Sequence, residues 1–195
     1  MNFELSEEHL MIRQAARDFA QNELKDGVID RDSKCEYPNT QVKRMAELGF
    51  LGMTVSSKYG GGGKDTISYA LAVEEISNID NSCSVILSAH NSLACWGIEE
   101  YGTERQKKKF LRPLATGKKI GGFCLSEPES GSDATQQKTT AIDKGDHYVL
   151  NGVKNWITNG LKAEIYVVIA QSNSELGHRG INAFVVESNT KGIST

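Results

Sequence analysis

No stretch of this sequence approaches the roughly 18 consecutive apolar residues that a membrane-spanning helix needs, so no such span is expected. Positive charge is not in excess either. Lys and Arg total 22 against 25 Asp and Glu, a net charge of −3, which argues against a general nucleic-acid binder. The densest basic run, Lys107 to Lys109 with Arg105 and Arg112, reads as the solvated face of one helix. The four cysteines, Cys35, Cys83, Cys95 and Cys124, form no C-x-x-C pair and no zinc spacing, so no metal site is expected. Cys95 and Cys124 sit among apolar neighbours and read as small core residues in a reduced compartment. The opening residues, Met1 to Glu8, have neither a signal peptide's basic start nor a transit peptide's arginines. A cytoplasmic location, or the mitochondrial matrix in a eukaryote, is the expectation. Two common nucleotide cradles are missing as well: there is no Walker A loop and no G-x-G-x-x-G fingerprint.

What remains is an ordinary globular composition, 38% hydrophobic and 24% charged over 195 residues, enough to bury a core. The first part repeats apolar residues at helical spacing. Ser6 is a suitable N-cap, followed by Ile12, Ala15, Ala16, Phe19, Ala20 and Leu24 on one face. A polar linker is expected next, then a helix from Thr40 to Leu48 stopped by Gly49. Tyr59 to Gly63 reads as a loop rather than a phosphate site, because no Lys-Ser/Thr pair follows it. Asp65 can cap a third helix, and Asn81 or Ser82 a fourth that runs to about Ile98 and is apolar on most faces. His90 on that helix reads as a satisfied or exposed side chain rather than a catalytic one. Thr103 and Gln106 form a capping box for a fifth helix, which Pro113 should distort.

From Lys118 the period changes to that of strands. Runs near 120–126, 139–142, 148–150, 154–157, 165–170 and 181–186 are separated by Gly, Asn and Asp turns. Helices first and strands second imply an α+β chain with segregated modules: an all-α bundle over 1–117 and a mainly antiparallel, β-barrel-like domain over 118–195.

Two stretches of the second module carry chemistry. Phe123-Cys124-Leu125-Ser126-Glu127-Pro128-Glu129-Ser130-Gly131-Ser132-Asp133-Ala134 begins as the end of a buried strand and is stopped by Pro128. It then turns, with Gly131 free to take positive φ. Successive N–H groups in such a turn can surround an anion. The second stretch, Asn151 to Gly160, contains Trp156-Ile157-Thr158. Trp156 offers a flat face suited to stacking, and in a strand Thr158 would share that face.

Together these stretches resemble the acyl-CoA dehydrogenase family, closest to its short-chain, butyryl-CoA members. The likeness extends over essentially the whole chain, including Tyr59-Gly60-Gly61, Glu74-Glu75-Ile76-Ser77 and His90-Asn91-Ser92-Leu93. It implies FAD as cofactor. By resemblance, Phe123 and Leu125 would lend main-chain contacts and Ser126 would hydrogen-bond the flavin ring by its backbone or hydroxyl. Gly131 and Ser132 would meet the pyrophosphate, and Ser132 would also touch the acyl-CoA substrate. Trp156, Ile157 and Thr158 would cover the ring, and the helix of His90 to Leu93 would line the acyl pocket. Glu129-Ser130 stands where many relatives carry a small residue and Gly. Either Glu129 points to solvent or the loop differs slightly.

The implied reaction is α,β-dehydrogenation of a short-chain acyl-CoA, with electrons passed to an electron-transferring flavoprotein and a homotetramer as the full-length assembly. The family's catalytic glutamate lies in a further C-terminal helical domain. No glutamate here matches it, and no catalytic residue is nominated. The expectation is therefore a fragment, inactive alone and binding FAD weakly. The same resemblance leaves open a related flavin oxidase or hydroxylase. A different class also stays open: a module that binds acyl-CoA or a partner without redox chemistry.

Overall fold

The computed structural model describes residues 4–195, which form two compact units, one ending at Lys118 and the other beginning at Lys119. The helical unit contains α1 (Glu7–Phe19), α2 (Val28–Ser33), α3 (Asn39–Glu47), α4 (Thr66–Ser77), α5 (Asn81–Ser88), α6 (Trp96–Tyr101), α7 (Glu104–Gln106) and α8 (Arg112–Ala115). Its ends are chemically marked. Ser6 Oγ accepts from the His9 N–H at the start of α1, and Asp65 Oδ1 accepts from the Ser68 N–H at the start of α4. The Thr103–Gln106 capping box forms in both directions. The cap of α5 is Asp80, one residue before the expected Asn81 or Ser82; its carboxylate accepts from the Cys83 N–H at 2.9 Å.

Three helices widen into π-type turns at Ala20–Leu24, Ala89–Cys95 and Lys107–Leu111. The last one is the distortion expected around Pro113, which stands two residues beyond the widened turn, near the start of the short α8, where a missing N–H costs little. The polar linker is also different from expectation: residues 28–33 form α2. No residue of α2 is buried, so it has no apolar periodicity to read. It is held instead by Arg31, which donates to Leu24 O and pairs with Asp80 at 2.9 Å. Arg17 makes a two-pronged pair with Glu75, at 2.6 and 2.8 Å, and ties α1 to α4. Leu24, Met45, Leu51, Ile76, Leu87, Ile98, Leu111 and Leu114 fill the centre of the unit.

The glycine loop packs back on its own unit. Gly62, Gly63 and Lys64 donate their N–H groups to Gly52, Val55 and Met53 carbonyls, so these donors are spent internally. A Cβ at Gly61 would lie 2.1 Å from Val55 O, which explains glycine there without any ligand.

The second unit holds β1 (Gly121–Cys124), β2 (Thr140–Asp143), β3 (Tyr148–Asn151), β4 (Ile165–Gln171) and β5 (Ile181–Glu187) in one sheet. The sheet is mixed and open rather than mainly antiparallel and barrel-like. β4 is its spine: β1 runs parallel to it, Gly121 opposite Ile165, and β5 runs antiparallel along its full length. The β2–β3 hairpin joins through a parallel step at Thr140 and Gln171. β4 is buried at Ile165, Tyr166, Val167 and Ala170, the near-continuous apolar run of a central strand. Residues 154–157 are not a strand; they lead into a compact turn.

Candidate functional site

The strand β1 delivers the chain into the loop of residues 125–139. Glu127 and Ser130 exchange both backbone hydrogen bonds across Pro128 and Glu129, at 2.9 and 3.2 Å, closing a tight turn. Ser130 is buried, and its hydroxyl donates to Asp133 O at 2.8 Å. Its side chain therefore braces the loop. Glu129 is exposed and pairs with Lys138, so it points to solvent. Gly131 does not adopt positive φ, contrary to expectation. Gly131, Ser132 and Asp133 are nonetheless exposed, and their N–H groups make no hydrogen bond to protein among the described residues. They are free donors for an anion.

Beneath this loop lies an ion pair that the sequence reading passed over. Lys154 and Glu127 side chains are 9% and 6% exposed, with Nζ 2.7 Å from Glu127 Oε1. Lys154 also donates to Leu125 O at 2.9 Å and to Gln137 Oε1 at 3.0 Å. The Glu127 carboxylate accepts further from the Lys138 and Thr139 N–H groups, at 2.6 and 3.0 Å. Burial alone would raise the Glu127 carboxyl, but the hydrogen bonds from Lys154, Thr139 and Lys138 outweigh it and hold it at about 2. The only sequence signal was positional: one Glu and one Lys, each inside a turn stretch already suspected of facing a ligand.

The Trp156 segment is joined to the same loop, since the Asn155 N–H donates to Ser126 O at 3.0 Å. Trp156 is 90% exposed and has φ +57°. A bulky residue in the left-handed region is strained, and an exposed indole gains nothing from packing. Its neighbour explains the direction. Ile157 packs inward against the buried cluster of Cys124, Ala163 and Tyr166, so the turn throws Trp156 outward. Because residues 154–157 are not a strand, the alternation that would have put Thr158 on Trp156's face does not apply; Thr158 is half-buried in the turn that follows. That turn is rigid. Ala163 N–H donates to Asn159 O, Tyr166 OH to Gly160 O, and Asn159 Nδ2 to Gly121 O on β1.

Phe123 and Leu125 are half-buried, Phe123 on β1 and Leu125 just beyond it, and β1 pairs only with β4 among the described residues. The unit thus brings the named residues of both stretches onto one connected framework: Phe123, Leu125 and Ser126 through β1 and the Lys154 contacts, and Trp156, Ile157 and Thr158 through Asn155 and Asn159. Gly131 and Ser132 extend from its outer rim. The chemistry present fits a flavin nucleotide: an exposed aromatic face at Trp156 and free N–H groups at Gly131 to Asp133, on segments joined by hydrogen bonds.

In the helical unit His90 is fully buried, and its ring is hydrogen-bonded to Leu114 O at 3.1 Å. Burial lowers its pKa to about 4. It is a neutral core group, the satisfied rather than the exposed of the two alternatives expected. Asn91 is equally buried and donates to Phe50 O and Leu87 O, while Ser92 and Leu93 are exposed.

Two family models match the chain: acyl-CoA dehydrogenase, N-terminal domain, over residues 6–118, and acyl-CoA dehydrogenase, middle domain, over residues 122–195. The short-chain specific acyl-CoA dehydrogenase of Clostridium acetobutylicum is 45% identical over 194 residues, covering all of this chain and 51% of that one. The solved butyryl-CoA dehydrogenase from Megasphaera elsdenii superposes with a TM-score of 0.93 at 41% identity, covering 98% of this chain and 51% of that chain. A chain from the structure titled as the electron transferring flavoprotein of Acidaminococcus fermentans gives a TM-score of 0.96 at 44% identity, over 98% and 50% of the two chains. The chain spans about half the length of the curated relatives it matches.

Proposed function

The chain belongs to the acyl-CoA dehydrogenase family, and from that premise we propose that it supplies the helical and flavin-contacting parts of an FAD-dependent, short-chain acyl-CoA dehydrogenase. In this reading residues 1–117 and 118–195 are the family's first two domains, and no residue of theirs is assigned as the proton-abstracting base. Acyl-CoA is the substrate, an electron-transferring flavoprotein the electron acceptor, a homotetramer the assembly, and the cytoplasm or mitochondrial matrix the location.

The observation that carries the reading is Trp156, a strained and exposed indole held on a framework shared with the 125–133 loop. FAD, when bound, supplies an acceptor for the hydride leaving the β-carbon of the thioester. The chain's own residues bind and orient it. Trp156 covers the ring, with main-chain contacts from Ile157 and the Thr158 hydroxyl beside it. Phe123 and Leu125 lend backbone groups, and Ser126 donates to the ring. Gly131 and Ser132 offer N–H groups to the pyrophosphate, and Ser132 also meets the acyl-CoA.

Titration of the 195-residue chain with FAD, followed by loss of flavin fluorescence, tests this. Weak saturable binding is expected, with Trp156→Ala about tenfold weaker, the worth of one aromatic stack. Saturable acyl-CoA binding with no FAD uptake would favour a module without redox chemistry.

A further inference from the structure

We propose that Lys154 and Glu127 form a positioning pair that sets the direction of the Ser126 N–H and the entry of the Trp156 turn; this rests on the function proposed above, which assigns both groups to the flavin ring. An ammonium has three N–H donors, and Lys154 spends all three, on Leu125 O, Glu127 Oε1 and Gln137 Oε1. The bond to Leu125 O is the decisive one. The Leu125–Ser126 peptide is trans, so its N–H lies opposite its carbonyl. With the carbonyl turned onto Lys154, the Ser126 N–H must face away from the pair. It has no protein partner among the described residues, so it stands as a free donor. The next carbonyl, Ser126 O, is taken by the Asn155 N–H, one residue before Trp156. Glu127 completes the frame by holding Lys138 and Thr139 N–H groups.

Of the two donors that the family likeness left open at Ser126, this geometry selects the backbone N–H. A buried ion pair is weak grounds for stability, since an apolar pair of similar volume can do as well. An apolar pair could not turn the Leu125 carbonyl. That difference separates a positioning role from a structural one.

The test uses the 195-residue chain with FAD as the probe, comparing wild type, the double variant Glu127→Gln/Lys154→Met, and Lys154→Arg. The double variant should fold, bind FAD at least tenfold more weakly, and leave the visible band of bound flavin like that of free flavin. Hydrogen exchange at the Thr139 and Asn155 N–H groups should rise at least tenfold. A folded double variant with wild-type FAD affinity and a wild-type flavin band overturns the proposal. Should the double variant not fold, Lys154→Arg carries the same readouts, because it keeps the charge but its planar fork cannot meet three acceptors placed for an ammonium. If wild type takes up no FAD, the proposed function fails for this chain, and exchange decides the pair: a tenfold rise in the variant supports it, and an unchanged rate overturns it.

Discussion

At the scale of single residues, Lys154 and Glu127 form a buried ion pair in the β unit, and acid should expose its contribution. Glu127 is held at about 2, against an ordinary value near 4.5. A depressed carboxyl stabilises the fold fully above its unfolded pKa and loses that contribution as pH falls through its folded one. The window is therefore pH 4.5 down to about 2, and the contribution is about 3 kcal/mol. Urea unfolding at stepped pH should show this acid limb in wild type and a shallower one in Glu127→Gln/Lys154→Met. Lys154→Met alone, which strands a buried carboxylate, should cost about 3–5 kcal/mol at pH 7; a cost below 1 kcal/mol would sink the account of a buried pair. These two residues were not legible beforehand, because an isolated Glu or Lys usually lies at the surface and nothing local shows it buried. Trp156 was legible by type and not by conformation. Its exposure depends on Ile157 turning inward, onto nearby Ala163 and Tyr166 and onto Cys124, which lies across β2 and β3 in sequence.

At the scale of elements, the helices are fixed more by their ends and ion pairs than by periodicity alone. Asp80 does two things at once. It caps α5 through Cys83 N–H and pairs with Arg31, which in turn holds α2. Burial opposes its ionisation, but the Cys83 N–H and Arg31 together keep its pKa low. Asp80→Ala should therefore destabilise by about 3 kcal/mol, combining a lost cap with a half-buried guanidinium deprived of its carboxylate. Asp80→Asn keeps a capping oxygen and should cost less. Equal losses in the two variants, read from thermal or urea unfolding, would mean the cap contributes nothing. The helices with apolar stripes and cap residues were readable, as α1, α4 and the Thr103 box attest. α2 was not, since it buries nothing and its anchor, Arg31 to Asp80, spans 49 positions. The widened turns were equally hidden, and one of them is why Pro113 sits without breaking its helix.

At the scale of the whole molecule, the order of helices and then strands follows from the change of period near Lys118, but the sheet's pairing does not. Parallel contact between β1 and β4 joins segments separated by the entire loop, hairpin and Trp156 turn, and no local pattern specifies that partner. The same view bears on chemistry. Removing an α-proton needs a base of suitable pKa within reach of it. In the β unit the carboxylates nearest the loop are committed: Glu127 to Lys154, Glu129 to Lys138, and Asp133 to Thr135. A carboxylate held at about 2 is also a poor base. With FAD and butyryl-CoA under anaerobic conditions, the 195-residue chain should leave the flavin oxidised. It should also leave the substrate's α-carbon without deuterium in heavy water. The two readouts separate proton removal from hydride transfer. Deuterium uptake without flavin bleaching would locate a working base in one of these two units while leaving hydride transfer unsupported. Bleaching with uptake would mean that these two units are sufficient for the whole reaction, and the division of labour argued from the committed carboxylates would be wrong.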